Sequence, residues 1–200
     1  MNSDEEIIIS FPKKTVSDMH KLMRSAISSN KEHSGSLCID KNAEIHLENK
    51  CGGSKFTCDP SSKCSKGRGF IGDIHTHPLY PGTDASATDL IRTYENNKLD
   101  CIGITRENKI KCYSRKDEYD KQKHADLAYQ AARFNSLSRE THEQGRGQKS
   151  ERVSRMREDT PYEDYMKPTR DELFNTFTIK GNEQKFVRMK RKRIEDFFNI

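Results

Sequence analysis

The stretch Phe70-Ile71-Gly72-Asp73-Ile74-His75-Thr76-His77-Pro78 decides how this chain is read. Its apolar lead-in, Phe70, Ile71 and Ile74, reads as a β-strand, and a strand sends alternate side chains to one face. His75 and His77 therefore project together, close enough to share one metal ion. Ser86-Ala87-Thr88-Asp89 follows a turn rich in Pro and Gly and opens a helical pattern, so Asp89 can add a carboxylate. Three protein ligands with one position left for water is the pattern of a catalytic zinc site, whereas structural zinc sites are closed by four. The stretch points to a metal-dependent hydrolase.

Working outward, Glu32-His33-Ser34-Gly35-Ser36-Leu37 lies upstream, behind the apolar run Ile7-Ile8-Ile9 and an amphipathic segment. A carboxylate beside a zinc-polarised water can take its proton and deliver it to a leaving amine. Glu32 is the acid placed for this work, and Gly35 lets backbone approach closely. A hydroxyl such as Ser86, aimed at an oxyanion, would contribute about 3 kcal/mol to transition-state stabilisation. Ser86 also suits a helix N-cap, and the two roles do not exclude each other. Together these parts fit hydrolysis of an amide, peptide or isopeptide bond.

A glutamate followed at three residues by glycine, then His-Thr-His-Pro, then Ser-x-x-Asp, resembles the JAMM family of zinc metalloproteases, also called JAB or MPN+. The resemblance covers roughly residues 5 to 113. It implies Zn2+ held by His75, His77 and Asp89, with Glu32 as general base and Ser86 as oxyanion stabiliser. It also implies a mixed α+β fold of cytidine-deaminase-like type, a central mixed sheet flanked by helices. The implied substrate is a protein, of the ubiquitin-like conjugate class. Eight residues, Pro78 to Ala85, separate His77 from Ser86, one more than the family usually has. Ser86-x-x-Asp89 keeps its internal spacing, which places the extra residue in the loop 79–84.

Other readings compete with this one. Asp-x-His-x-His also opens amidohydrolase barrels, but those need about 200 residues of strand-helix units, and the chain beyond Pro78 is too short and too polar. A non-catalytic interaction or scaffold module would keep the fold and recruit partners through its tail. A bacterial DNA-repair-associated branch carries a similar His-x-His-Pro motif and leaves a nucleic-acid-linked role open.

Composition divides the chain. Residues 1–113 carry 16 Lys+Arg and 15 Asp+Glu, while residues 114–200 carry 20 and 16, so most of the net +5 lies in the second part. All six cysteines, Cys38, Cys51, Cys58, Cys64, Cys101 and Cys112, precede residue 114. At 200 residues there is room for one ordinary core and an extension. We therefore expect a JAMM-like domain over 1–115, an accessory helix over 116–137, and a charged, partly flexible tail over 138–200.

Within the core the pattern predicts a strand over Glu6–Phe11 and a helix over Thr15–Ser29, with the apolar residues Val16, Met19, Leu22, Met23 and Ile27 at helical spacing. Strands are expected at Ser36–Asp40, Ala43–Glu48 and Phe70–His77, a helix at Ala85–Asn96, and a hairpin of Asp100–Thr105 with Lys109–Ser114. Asn49–Arg68 reads as a long loop carrying Cys51, Cys58 and Cys64. These could join Cys38, Cys101 or His46 in a second zinc site, form disulfides, or remain free thiols. Without a secretory signal or a membrane-length apolar run, the expected setting is cytoplasmic, with no membrane partner.

In the C-terminal part, Tyr119–Leu137 reads as a helix with Ala125, Leu127, Ala128, Ala131, Ala132 and Phe134 on one side. Ser138–Lys167, nearly devoid of aliphatics, reads as a flexible linker. The basic run Lys185–Arg193 reads as a solvated helix face, with nucleic acid or an acidic protein surface as the alternative partner.

Overall fold

The helix expected after the first strand forms because apolar residues recur at helical spacing and both of its ends carry stop signals. It runs from Lys13 to Ser29 (α1), begins after Pro12, and ends where Asn30 turns left-handed at φ 51°. Val16, Met19, Leu22, Met23 and Ala26 are buried. Ile27 is not: it is 55% exposed, because the inward stripe reaches Ala26 and Ile27 lies 100° further round the helix. Thr15 Oγ1 donates to the Ile45 carbonyl at 2.7 Å and ties α1 to the sheet below it.

The computed structural model describes residues 5–53, 63–76, 85–104, 107–144, 162–190 and 194, with side chains at 134–144 and 162–165 outside the description. In chain order the remaining elements are Glu6–Phe11 (β1), His33–Asp40 (β2), Ile45–Gly52 (β3), Arg68–Thr76 (β4), Ala87–Asn96 (α2), Leu99–Ile104 (β5) and Lys109–Arg115 (β6). Lys121–Gln144 (α3), Tyr162–Leu173 (α4), Phe174–Lys180 (β7) and Lys185–Lys190 (β8) follow. The fold is mixed α+β: a six-stranded, mostly antiparallel sheet in the order β3-β2-β4-β5-β6-β7, and a two-stranded sheet of β1 with β8. The pair β4–β5 is parallel, joined through the α2 crossover as parallel neighbours require.

The chain divides into two compact units. The first comprises Met1–Asp84, Lys98–Tyr113 and Thr176–Ile200. Its core gathers Ile9, Phe11, Val16, Met19, Leu37, Ile39, Ile71, Ile74 and Leu99 with the apolar side chains of β6 and β7. The second comprises Ala85–Asn97 and Ser114–Asn175. There Tyr94, 2% exposed, is ringed by Tyr119, His124 and Phe174 at centroid distances of 5.9, 6.0 and 6.1 Å. Arg115 lies over the Tyr94 ring and donates to the Tyr94 carbonyl at 2.6 Å.

The second half of the chain departs most from expectation. Residues 138–144 continue α3, and 162–167 belong to α4, so both ends of the expected linker are helical; its middle, 145–161, lies outside the described residues. On α3, Leu127 and Ala131 are buried as expected, but Ala125 and Ala132 are exposed. The part of the basic run over Lys185–Lys190 is a strand rather than a helix face, and 191–193 lie outside the described residues. β8 pairs antiparallel with β1, with Ile8 opposite Arg188 and Ile9 opposite Val187. Met189 turns inward while Phe186 and Arg188 turn outward. The tail region thereby supplies a strand to the first unit.

The cysteines resolve in favour of disulfides. Cys38 of β2 is bonded to Cys64, and Cys101 to Cys112 directly across the β5–β6 pair. Cys51 is also disulfide-bonded, while Cys58 lies outside the described residues. The described cysteines of the expected loop, Cys51 and Cys64, are thus crosslinks and not zinc thiolates, each closed loop contributing about 3 kcal/mol. That loop is also shorter than expected, because β3 runs on to Gly52. Among the described residues no helix is long and apolar enough to cross a membrane.

Candidate metal centre

β4 alternates as its sequence suggests. Ile74 and Thr76 are buried on one face, and Asp73 and His75 are half-buried on the other. Gly72 permits the arrangement. A Cβ at this position would lie 1.8 Å from the Leu99 carbonyl oxygen and 2.6 Å from its carbon, so only glycine lets β4 and β5 approach in this register. The register sets Asp73 opposite Asp100 and His75 opposite Ile102.

Around His75 the sheet gathers charge. Its Nδ1 is 3.3 Å from Asp100 Oδ1 and 3.8 Å from Asp73 Oδ1. One donor atom from each of the three residues lies within 4.8 Å of the others. An imidazole with carboxylates is a donor set that zinc accepts; of the three ligands that the sequence implies, this group contains His75. Asp73 was already visible in the motif. Asp100 was missed, although an acid inside Leu-Asp-Cys-Ile-Gly-Ile is the signal that could have found it.

β2 brings the second predicted component to the same strand. Ser34 pairs with His75 in the antiparallel β2–β4 ladder, and Glu32 leads into β2 two residues before Ser34. Glu32 is half-buried, and its carbonyl accepts from Gly53 N at 2.9 Å. Thr76 closes the end of the ladder: its Oγ1 accepts from His33 N at 3.1 Å and donates to the His33 carbonyl at 3.2 Å. The middle residue of His-Thr-His thus clamps the backbone next to Glu32. Its methyl sits over Gly103, where a Cβ would come within 3.1 Å of it. The neighbouring His33 imidazole shares a hydrogen bond with Ser29 Oγ at 2.9 Å. Burial, helped by Lys31, holds His33 below its ordinary pKa, which keeps it neutral at pH 7.

Compared with known proteins, the chain matches no family model and no curated relative.

Ser86 and Asp89 are brought to each other in the second unit. Ser86 is the N-cap of α2, its Oγ accepting from Asp89 N at 3.2 Å, while Asp89 Oδ2 accepts from Ser86 N at 2.7 Å. This reciprocal capping box satisfies two helix-end donors and fixes the Asp89 carboxylate. Thr93 adds a hydrogen bond to the Asp89 carbonyl at 2.7 Å. Ser86 therefore does the capping work that its sequence allowed. His77, with the loop to Asp84, lies outside the described residues.

Two further groupings of metal-binding residue types occupy the first unit. Cys38, Glu48 and Cys64 lie together, but both sulfurs are consumed in their disulfide. Asp40, Glu44 and His46 also lie together. There Asp40 Oδ2 already meets His46 Nε2 at 2.8 Å, and its Oδ1 accepts from the Asn42 and Glu44 amides. Burial alone would raise the Asp40 pKa, but these hydrogen bonds outweigh it and hold the carboxyl low.

Proposed function

We propose that the chain is a zinc-dependent hydrolase of the JAMM type, with the cytidine-deaminase-like architecture of that family, cleaving a peptide or isopeptide bond in a protein substrate. The observation that carries this reading is the β2–β4 register. The strand that Glu32 leads into lies directly beside the strand that carries His75, although the two residues are 43 positions apart in sequence.

The roles follow from the chemistry. His75, His77 and Asp89 would hold zinc, and a carboxylate has lone pairs enough to cap α2 and still coordinate. Zinc there would supply a Lewis acid for the scissile carbonyl and a water acidic enough to ionise near pH 7. Glu32 would take that proton and return it to the leaving amine. Ser86 accepts a hydrogen bond from Asp89 N, which leaves its own O–H to donate to a developing oxyanion. A ubiquitin-like conjugate is the substrate class we assign, on the strength of the motif.

The test is cleavage of isopeptide-linked ubiquitin-like conjugates by the native chain and by Glu32→Gln. The reading expects the variant to bind zinc as the native chain does while losing at least about 100-fold in rate. Equal rates in the two proteins would remove Glu32 from the mechanism.

A second reading is favoured by the β1–β8 ribbon, whose outer face shows Ile8 and Phe186, each near 60% exposed, beside Arg188. On that reading the ribbon is a docking strip for nucleic acid or an acidic protein, and it can coexist with the hydrolase.

A further inference from the structure

Cys38 of β2 and Cys64 are disulfide-bonded, and a carboxylate oxygen of Glu48 on β3 lies within 4.8 Å of both sulfurs. Cys64 has anchors to β3 besides the disulfide, on both sides of it in sequence. Just before it, the Lys63 carbonyl accepts from Asn49 Nδ2 at 2.7 Å. Just after it, Ser65 donates from its N and Oγ to Glu48 Oε2 at 2.8 and 2.9 Å, and Arg68 donates to Glu48 Oε1 at 2.5 Å. These hydrogen bonds keep the two sulfurs and the carboxylate side by side once the bond between the sulfurs is broken. Cys38 is fully buried and Cys64 half-buried, so a reductant meets the pair at Cys64. A carboxylate has about four acceptor sites, and the contacts to Ser65 and Arg68 leave room on Oε1 for one more partner.

We propose that Cys38, Cys64 and Glu48 form a redox-gated zinc site, a covalent crosslink when oxidised and a set of metal ligands when reduced. The reductant is a dithiol. One of its thiolates attacks Cys64 and its second thiol resolves the mixed disulfide. It leaves as a disulfide, having delivered two electrons and two protons that make Cys38 and Cys64 thiols. Zn2+ then displaces both thiol protons and takes the two thiolates with the Glu48 carboxylate. Zinc accepts sulfur and carboxylate donors together, whereas copper(I) selects sulfur and magnesium or calcium selects oxygen. The site is separate from the His75 centre, since Cys38 pairs with Phe70, five residues before His75 on β4. It does not depend on zinc at His75.

The experiment is a cobalt(II) titration of the full-length chain before and after reduction by a phosphine, which brings no thiol of its own. Cobalt stands in for zinc, and its thiolate-to-metal charge-transfer absorption reports sulfur ligands, so metal at His75 is silent in this band. The oxidised chain should show no band. The reduced chain should develop one that saturates at one cobalt per chain and disappears when zinc is added. After reduction, Cys38→Ser should lack the band and Cys51→Ser should keep it, while Glu48→Gln should bind cobalt at least about 10-fold more weakly. A reduced native chain that shows no band, or that loses its fold by circular dichroism, would overturn the proposal without any variant. So would a band that survives Cys38→Ser or fails in Cys51→Ser, or native affinity in Glu48→Gln.

Discussion

The surroundings of His75 and those of Ser86 and Asp89 are built in opposite ways. Around His75, the framework comes largely from other strands: Ser34 pairs with it from β2 and Asp100 approaches from β5, beside Asp73 of β4 itself. Around Ser86, the structure is made within one turn of α2, by two hydrogen bonds between residues three apart. The first arrangement exists only when the sheet is folded in register. The second is close to what an isolated helix end would form.

The sharpest way to break this contrast is Gly72→Ala. The added methyl would meet Leu99 backbone atoms that cannot step aside, so β4 and β5 must part. The expected loss is about 3 kcal/mol or more of unfolding free energy, read from urea midpoints, together with the His75–Asp100 contact. A variant as stable as the native chain would show that the parallel pairing is not the support of His75.

A smaller effect is expected at the local site. Ser86→Ala removes an N-cap and should cost about 1 kcal/mol, with the tertiary fold retained by circular dichroism. If Ser86 also donates to the oxyanion, the same variant loses on the order of 100-fold in cleavage rate. Unchanged stability would argue that Ser86 does not cap α2 in solution.

The same contrast explains what the sequence revealed. Local signals were legible: the Ser86-x-x-Asp89 start of α2, the helical spacing of α1, and the hairpin of β5 with β6. The identity of the metal strand was legible too, because apolar residues and histidines alternate within nine positions. Long-range pairings were not. Nothing in Glu6–Phe11 announces that its partner is Lys185–Lys190, and the outward-facing Phe186 obscured the two-residue alternation of Val187 and Met189. The disulfide between Cys38 and Cys64 depends on tertiary proximity that cysteine spacing alone leaves open. Asp100 escaped notice for the same reason, since its meaning comes from the neighbouring strand.

Disulfide bonding of the described cysteines also bears on the expected cytoplasmic setting. Such cysteine usage belongs to oxidising compartments, or to the interior of hyperthermophiles.

The central claim is that His75 and His77 hold a catalytic metal. It is tested most directly by counting zinc per chain in purified native protein and in His77→Ala after equal exposure to zinc. The account predicts one zinc per native chain and none in the variant, with both proteins folded. A native chain that takes up no zinc, or a variant that keeps its full complement, would contradict it.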